Sequence, residues 1–263
     1  MAEQNLASLA AGMALAGKIP FFSSYATFSP GRNNEQIRTT IAINQGTCKI
    51  VGSYAGISVG ADGATHQALE DMALMRAMPN MRVIYPCDAI EAKKVTMAIA
   101  EVEGPVYLRL ARAATPVITT EKTPFTFGKA EIFWSASPQI ADVTIVACGP
   151  LVYEALLAAQ ELEKKGISVE VVNSPTVKPL DEKTILTSVK KTKAVVTVEE
   201  HQAAAGFGGA VAELLVQQYP VPVEMIGVKD RFGESGEPDE LLNAFGLSEA
   251  HIIKAVKKVL GRK

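Results

Sequence analysis

An excess of charge of either sign is missing from this chain: 26 Lys and Arg stand against 28 Asp and Glu in 263 residues, for a formal net charge of -2. That balance gives no electrostatic case for nucleic acid or an anionic membrane as partner. Cysteine is scarce as well. Cys48, Cys87 and Cys148 are odd in number, far apart, and each adjoins a strand-like run, which argues against a disulfide framework or a metal site and for buried thiols in a reducing cytoplasm. Long apolar runs are also lacking. The apolar stretch over 6–17 falls short of the roughly 20 residues that span a bilayer, and no other uncharged stretch reaches that length. A secretory leader would place basic residues first, whereas here the first charge is Glu3 and the first Lys is Lys18. The expectation is a soluble, cytoplasmic protein without a leader or a membrane span. Repeats, low-complexity segments, GxGxxG and the P-loop pattern are absent too.

What is present alternates. With 48% hydrophobic and 21% charged residues there is material for one large or two medium cores. The runs "IPFFSSY", "KIVGSY", "MRVIYP" and "PVYLRL" read as strands buried on both faces. Helical patterns over 33–43, 65–78 and 88–102 lie between them, the last opening with Asp88 and Glu91 in capping-box spacing. Residues 113–127, rich in Thr and Pro, have neither period and form the best linker. A second series follows: "DVTIVACG", a helix over 151–165, "SVEVVN", a helix from Asp181, "KAVVTVEE", a helix from about Gly208, "PVEMIGV" and a last helix from Ser248. The predicted fold class is α/β, with two doubly wound, mainly parallel sheets. The predicted division is a first domain over 1–118, a linker over 119–128 and a second domain over 129–263. The first domain opens on a helix instead of a strand, so an N-terminal strand and helix are expected to be missing, or another chain to cover that edge.

Parallel sheets bind ligands beyond the carboxyl ends of their strands. That rule selects 25–32, 53–66, 87–88 and 109–112. The second stretch, "SYAGISVGADGATHQ", is long for a strand-to-helix connection. Taken singly, each residue has a plainer role. Glu3 could answer the helix dipole, Tyr25 and Phe28 could be core aromatics, Asp62 could shape a turn with Gly63, and His66 could cap a helix. Arg109 and Arg112 could be surface charges, although Arg109 alternates with buried strand positions. Their shared position at one sheet edge is what favours a site.

The segments "AEQN", "SSYATF", "GRNNEQIR", "VGSYAGISVGADGATHQALEDMALMR", "PNMRVIYPCDAIEA" and "GPVYLRLAR" resemble the pyrimidine-binding domain of transketolases. The second half, with "VTVEEHQAAAGFGGAVAELL" and "FGESGEPDELL", is similar to the transketolase C-terminal domain. The order and extent of these matches most resemble the C-terminal subunit of split transketolases, N-terminally incomplete. The resemblance implies thiamine diphosphate as cofactor and transfer of a two-carbon ketol unit between sugar phosphates in the pentose phosphate pathway. It implies that Glu3 hydrogen-bonds a ring nitrogen of the aminopyrimidine, as a carboxyl that keeps its proton in an apolar pocket. Tyr25 and Phe28 match the aromatics that sandwich that ring. Asp62 matches an acid on a substrate hydroxyl, and His66 matches a histidine that moves protons at the reacting carbonyl or hydroxyl. Arg112 matches the arginine that holds the sugar phosphate, Arg32 looks pocket-facing, and Tyr54 stands where many members have His.

No GDG with a downstream Asn occurs, so the diphosphate and its Mg or Ca are expected on an N-terminal transketolase subunit, in an α2β2 heterotetramer. No metal site is expected here. Ala61 replaces a frequent Glu, a form shared with 1-deoxyxylulose-5-phosphate synthases, which stand as an alternative. A truncated, inactive assembly module is another. His201, in "EEHQAAAGFGG", reads as an interface residue more than a site residue.

Overall fold

The computed structural model describes residues 2–135 and 140–263. In α1 (Glu3–Leu15), Ala7, Ala10 and Ala11 turn inward, and their small side chains let the backbone approach its neighbours; Leu9, Met13 and Leu15 face outward. β1 (Phe21–Tyr25) buries alternate residues, Phe22 and Ser24. The pattern over 33–43 folds as α2 (Asn34–Gln36), widening into π-helical Ile37–Ala42. β2 (Lys49–Ser53) follows. The helix expected over 65–78 forms only as α3 (Asp71–Ala77). Its first third is drawn into tertiary contacts instead: Gln67 Nε2 donates to the carbonyls of Ile57 and Glu234, and Ala68 bridges to Ala55.

β3 (Arg82–Ile84), α4 (Ala89–Ala100) and β4 (Val106–Arg109) complete the first series. Asp88 caps α4, accepting the Glu91 N–H at 2.8 Å. Glu91 answers one residue further back than in a capping box, accepting the Cys87 N–H at 2.7 Å.

The second series runs β5 (Glu131–Trp134), β6 (Val143–Ala147), α5 (Val152–Glu163), β7 (Val169–Asn173), β8 (Thr176–Lys178), α6 (Glu182–Thr192), β9 (Val195–Gln202), α7 (Phe207–Gln218), β10 (Val223–Val228), α8 (Pro238–Ala244) and α9 (Glu249–Leu260). Of these, β5, β8 and α8 have no counterpart among the expected elements. The two short strands lie at sheet edges, where they need little pattern of their own.

The chain is α/β, and its described residues form two five-stranded sheets of order β1-β2-β4-β3-β8 and β10-β9-β6-β7-β5. Each is parallel except for one antiparallel edge strand, β8 on β3 and β5 on β7. β8 comes from the second half of the sequence, so the first sheet reaches across the division expected at 119–128. The irregular residues 113–127 are tied down: the N–H groups of Ile118 and Thr119 donate to Asp88 at 2.8 and 2.6 Å, and Phe125 and Phe127 pack beside Ile84, Val95 and Leu108.

Alternation along the strands assigns the layers. In β4, Val106 and Leu108 face α4, while Tyr107 faces a core shared by α1, α3, α6 and α7. In β6, Val146 joins that shared core, whereas Val143 and Ile145 join α5 and α9 on the far side. The three cysteines are free and buried. Among the described residues no helix is long and apolar enough to cross a membrane.

Lys49 is a buried cation at the foot of β2, donating to the carbonyls of Val102 and Gly104. Burial, aided by Arg82, pulls its pKa from 10.5 down to about 8. From about pH 8 to 10.5 the unfolded chain therefore holds a proton that the folded chain has released, so this group makes stability rise with pH in that window. Urea unfolding over the window should show that rise in the parent and a flatter profile in Lys49→Met.

Candidate active site

β1, β2 and β4 are parallel and in register, with Tyr25 beside Ser53 and Gly52 beside Arg109. Their carboxyl ends deliver three loops to one edge of the sheet. The first turn of α1 lies against that edge and presents Glu3, which is 2% exposed. Arg32 Nη1 donates to Glu3 Oε2 at 2.9 Å and Ser24 Oγ to Oε1 at 3.2 Å, while Asn33 Nδ2 holds the Glu3 carbonyl at 3.1 Å. Burial pushes the carboxyl pKa up. The Glu3 backbone N–H, Arg32 and Ser24 together outweigh that and bring it below the ordinary value. The apolar pocket expected around Glu3 therefore contains an arginine, and that charge favours the ionised form of the carboxyl over the protonated one.

Beside Glu3 stands a cluster of rings. Tyr25 and Tyr54 stack at 4.5 Å and 15°, and Phe28 lies 6.0 Å from Tyr25 at 46°. His66 meets Tyr25 and Phe28 edge-on, at 5.4 and 5.3 Å. The Arg32 guanidinium sits 4.6 Å from the Phe28 centroid, and that of Arg112 sits 5.7 Å from the Tyr54 centroid. Tyr54 has a left-handed backbone, at φ 54°. A tyrosine rarely adopts that conformation, and its cost is the kind of local strain that surrounding contacts sustain at sites.

The loop after β2 forms a tight 3-10 turn over Ile57–Asp62, broken at Gly60 (φ 78°). Asp62 Oδ2 pairs with Arg112 Nη1 at 2.9 Å, and the same nitrogen donates to the Val59 carbonyl at 2.8 Å. His66 Nδ1 shares a hydrogen bond with Thr65 Oγ1 at 2.9 Å, so it does not cap a helix. The expected site residues thus join into one continuous path: Glu3, Arg32, Phe28, His66, Tyr25, Tyr54, Arg112 and Asp62. A carboxylate lies at one end, flat rings in the middle, and a guanidinium with a second acid at the other end.

Sequence reasoning missed Ser24 and Asn33, small polar residues with no signal beyond their place in the loop. It also left Arg109 open, and the structure buries that residue completely. Arg109 Nε donates to Asp71 Oδ2 at 2.8 Å, with Tyr107 Oη donating to the same oxygen at 2.6 Å. The available signal was a charge inside a run that must be covered on both faces. His201 is buried at the seam between the two halves, with Nε2 3.4 Å from the Ala73 amide and Nδ1 2.8 Å from the Gln202 carbonyl. Burial drives its pKa down to about 4, so it is neutral there. The "EEHQAAAGFGG" stretch is a strand end and a tight helix start, as its pattern suggests, and Glu199 accepts the Phe207 and Gly208 N–H groups at 2.6 and 2.7 Å.

The described residues hold no group of three or more His, Cys, Asp or Glu placed to bind a metal ion. Residues 1–117 match the family described as transketolase, pyrimidine binding domain, and residues 135–252 match transketolase, C-terminal domain. The chain is 42% identical to a 6-deoxy-6-sulfo-D-fructose transketolase subunit of Clostridium sp. (strain MSTE9), over 100% of this chain and 80% of that protein. It is 36% identical to an apulose-4-phosphate transketolase subunit of Phocaeicola vulgatus, over 97% of this chain and 80% of that protein. A solved structure described as a split gene transketolase, inactive beta4 tetramer, is 43% identical with a TM-score of 0.92, covering 99% of this chain and 82% of that one.

Proposed function

We propose, for a chain that belongs to the transketolase family and matches its split C-terminal subunits, that it supplies the pyrimidine-binding half of a thiamine-diphosphate enzyme. Its reaction would be transfer of a two-carbon ketol unit from a ketose phosphate to an aldose phosphate. The single observation behind this reading is the path from the covered Glu3 carboxylate, through Tyr25, Phe28, Tyr54 and His66, to Arg112 and Asp62.

These residues fit the pyrimidine half of the cofactor. A buried carboxyl group suits a ring nitrogen when the two share one proton, and flat side chains flank a heterocycle without competing chemistry. When bound, the cofactor supplies the carbanion-stabilising centre that the transferred unit needs. Glu3 would hold or share a proton at the ring nitrogen, with Arg32 anchoring the carboxylate. Tyr25 and Phe28 would orient the ring. His66 would hold a proton at the reacting oxygen of the sugar, and Asp62 would accept from a sugar hydroxyl. Arg112 would take the phosphate, a task for which its planar, permanently charged fork is suited. Tyr54 would support Arg112 from below, since its ring lies under that guanidinium.

The diphosphate and a Mg or Ca ion would be held by an N-terminal subunit in an α2β2 assembly. Support comes from the relatives' designation as subunits and from outward apolar residues on and near α1, among them Leu9, Leu15, Ile19 and Ile43. The relatives are named for different ketoses, so the pentose phosphates, handled in the cytoplasm, are the first pair to try.

The test is co-expression with a diphosphate-binding subunit and assay of transfer from xylulose 5-phosphate to ribose 5-phosphate. Condensation of pyruvate with glyceraldehyde 3-phosphate would instead indicate the synthase. A folded, cofactor-loaded pair that does neither would overturn the reading. In the active pair, Arg112→Ala should raise KM for the phosphorylated acceptor by about 10- to 100-fold, the range for losing a hydrogen bond between charged groups. Cofactor affinity should hold, and an unmoved KM would exclude Arg112 from phosphate binding.

A further inference from the structure

The second half of the chain contributes no ring or charge to the path described above, yet it grips the loop that carries Tyr54, Asp62 and His66. Glu200 of β9 is 1% exposed. Its Oε1 accepts the Ser58 backbone N–H at 2.6 Å, and Oε2 accepts from Tyr85 Oη at 3.3 Å. Gly56, at φ +91°, stands so close to this carboxyl group that an added methyl would overlap it. The residue after Ser58 is Val59, whose carbonyl holds Arg112 at 2.8 Å. From the other side, Gln67 Nε2 joins the Ile57 carbonyl at 3.0 Å to the Glu234 carbonyl at 2.9 Å.

We propose that Glu200 is a positioning residue for Arg112: by holding the Ser58 amide it sets the height of the 57–62 turn over the sheet edge, and so the place where the Arg112 guanidinium meets a phosphate. The proposal rests on the reading of Arg112 given above. A covered carboxyl needs partners to be tolerated, and here one partner is the backbone of the loop itself. The link is thus a short hydrogen bond between an interior strand of one sheet and a loop at the carboxyl ends of the strands of the other. It gives the C-terminal half a role in the reaction without touching substrate.

The test uses the full chain with Glu200→Ala, Glu200→Gln and Gly56→Ala. Amide hydrogen exchange over 54–66 should speed up by about 10- to 100-fold in Glu200→Ala, the effect of losing a hydrogen bond to a buried partner. The 21–25 segment should stay protected. Gly56→Ala, which pushes the loop off from its own side, should reproduce that pattern and keeps the question answerable if Glu200→Ala does not fold. Glu200→Gln keeps an acceptor oxygen and should restore exchange to within about twofold of the parent. In the assembled enzyme, Glu200→Ala should raise KM for the phosphorylated acceptor by about 10-fold, with cofactor affinity kept.

Unchanged exchange over 54–66 would overturn the proposal, as would a loosened loop with an unmoved KM. If the parent pair transfers nothing, it is the catalytic reading that fails. The exchange data then decide by themselves whether Glu200 sets the loop.

Discussion

Glu3→Gln should leave the chain folded and the cofactor bound, yet lower ketol transfer by about 10²- to 10⁴-fold, the usual contribution of a positioned acid or base. The substitution keeps the shape of the side chain, and the Ser24 hydroxyl and Asn33 amide around it remain. What it removes is the ability to take and give a proton at the ring nitrogen. Single-turnover rates in the two-chain enzyme, alongside a cofactor titration, separate the two effects. A Gln variant within tenfold of the parent would remove Glu3 from the chemistry.

Arg32 sharpens this prediction. Since the folded pKa of Glu3 is depressed, its contribution to stability is present above the unfolded value and is lost as pH falls through the folded one. Arg32→Met deletes one of the influences that lower it and leaves burial unopposed by that charge, so the acid limb of the rate profile should move to higher pH. An unmoved limb would mean that Arg32 serves Phe28 or substrate and not the carboxylate.

Much of this site was legible because chemistry and topology agree. Parallel strands bring their carboxyl ends to one edge, so Tyr25, Tyr54 and Arg112 had to be near neighbours once the strands were recognised. Glu3 was legible from its motif, but its ionisation was not. Whether a covered carboxyl keeps its proton depends on Arg32, twenty-nine positions away, and separation in sequence says nothing about that distance. The helix over 65–78 failed for a related reason: its periodicity is sound, but Gln67 gives more as a tie between Ile57 and Glu234 than as a helical residue. β8 shows the same limit, since three residues at an edge take their order from the strand they join. The grip of Glu200 on Ser58 spans 142 positions. Only the packing of the two sheets against a common core brings those residues together.

The largest loss of stability should come from Arg109. Arg109→Leu deletes the cation of a pair that is 0% and 1% exposed, leaving Asp71 with the Tyr107 hydroxyl but no opposite charge in contact. Breaking such a pair from one side typically costs about 3 to 5 kcal/mol, because the remaining charge stays buried without compensation. Arg109 also donates from Nη2 to the Ala68 and Glu200 carbonyls, at 3.1 and 3.0 Å, so the cation ties β4 to both halves of the chain. Urea unfolding at neutral pH measures the loss, and a value under about 1 kcal/mol would show that the pair is relaxed or hydrated in solution.

The pH dependence gives an independent check by sign. In the parent, burial pushes the Asp71 pKa up, but Arg109 outweighs it and holds the folded value below the unfolded one. This carboxylate therefore adds stability above the unfolded pKa, and that stability drains away as pH falls through the folded one. Without Arg109, burial dominates, the folded pKa rises above the unfolded one, and the contribution of Asp71 declines as pH rises. The stability slope assigned to Asp71, measured as the difference from the Asp71→Asn variant of each background, should therefore reverse. Arg109→Met combined with Asp71→Leu should recover much of the single-variant loss, since two apolar side chains replace two charges that each demanded the other. Recovery of folding without recovery of ketol transfer would then separate the two roles of Arg109, as counter-charge to Asp71 and as the tie that holds the strand bearing Glu200 beneath the 57–62 turn.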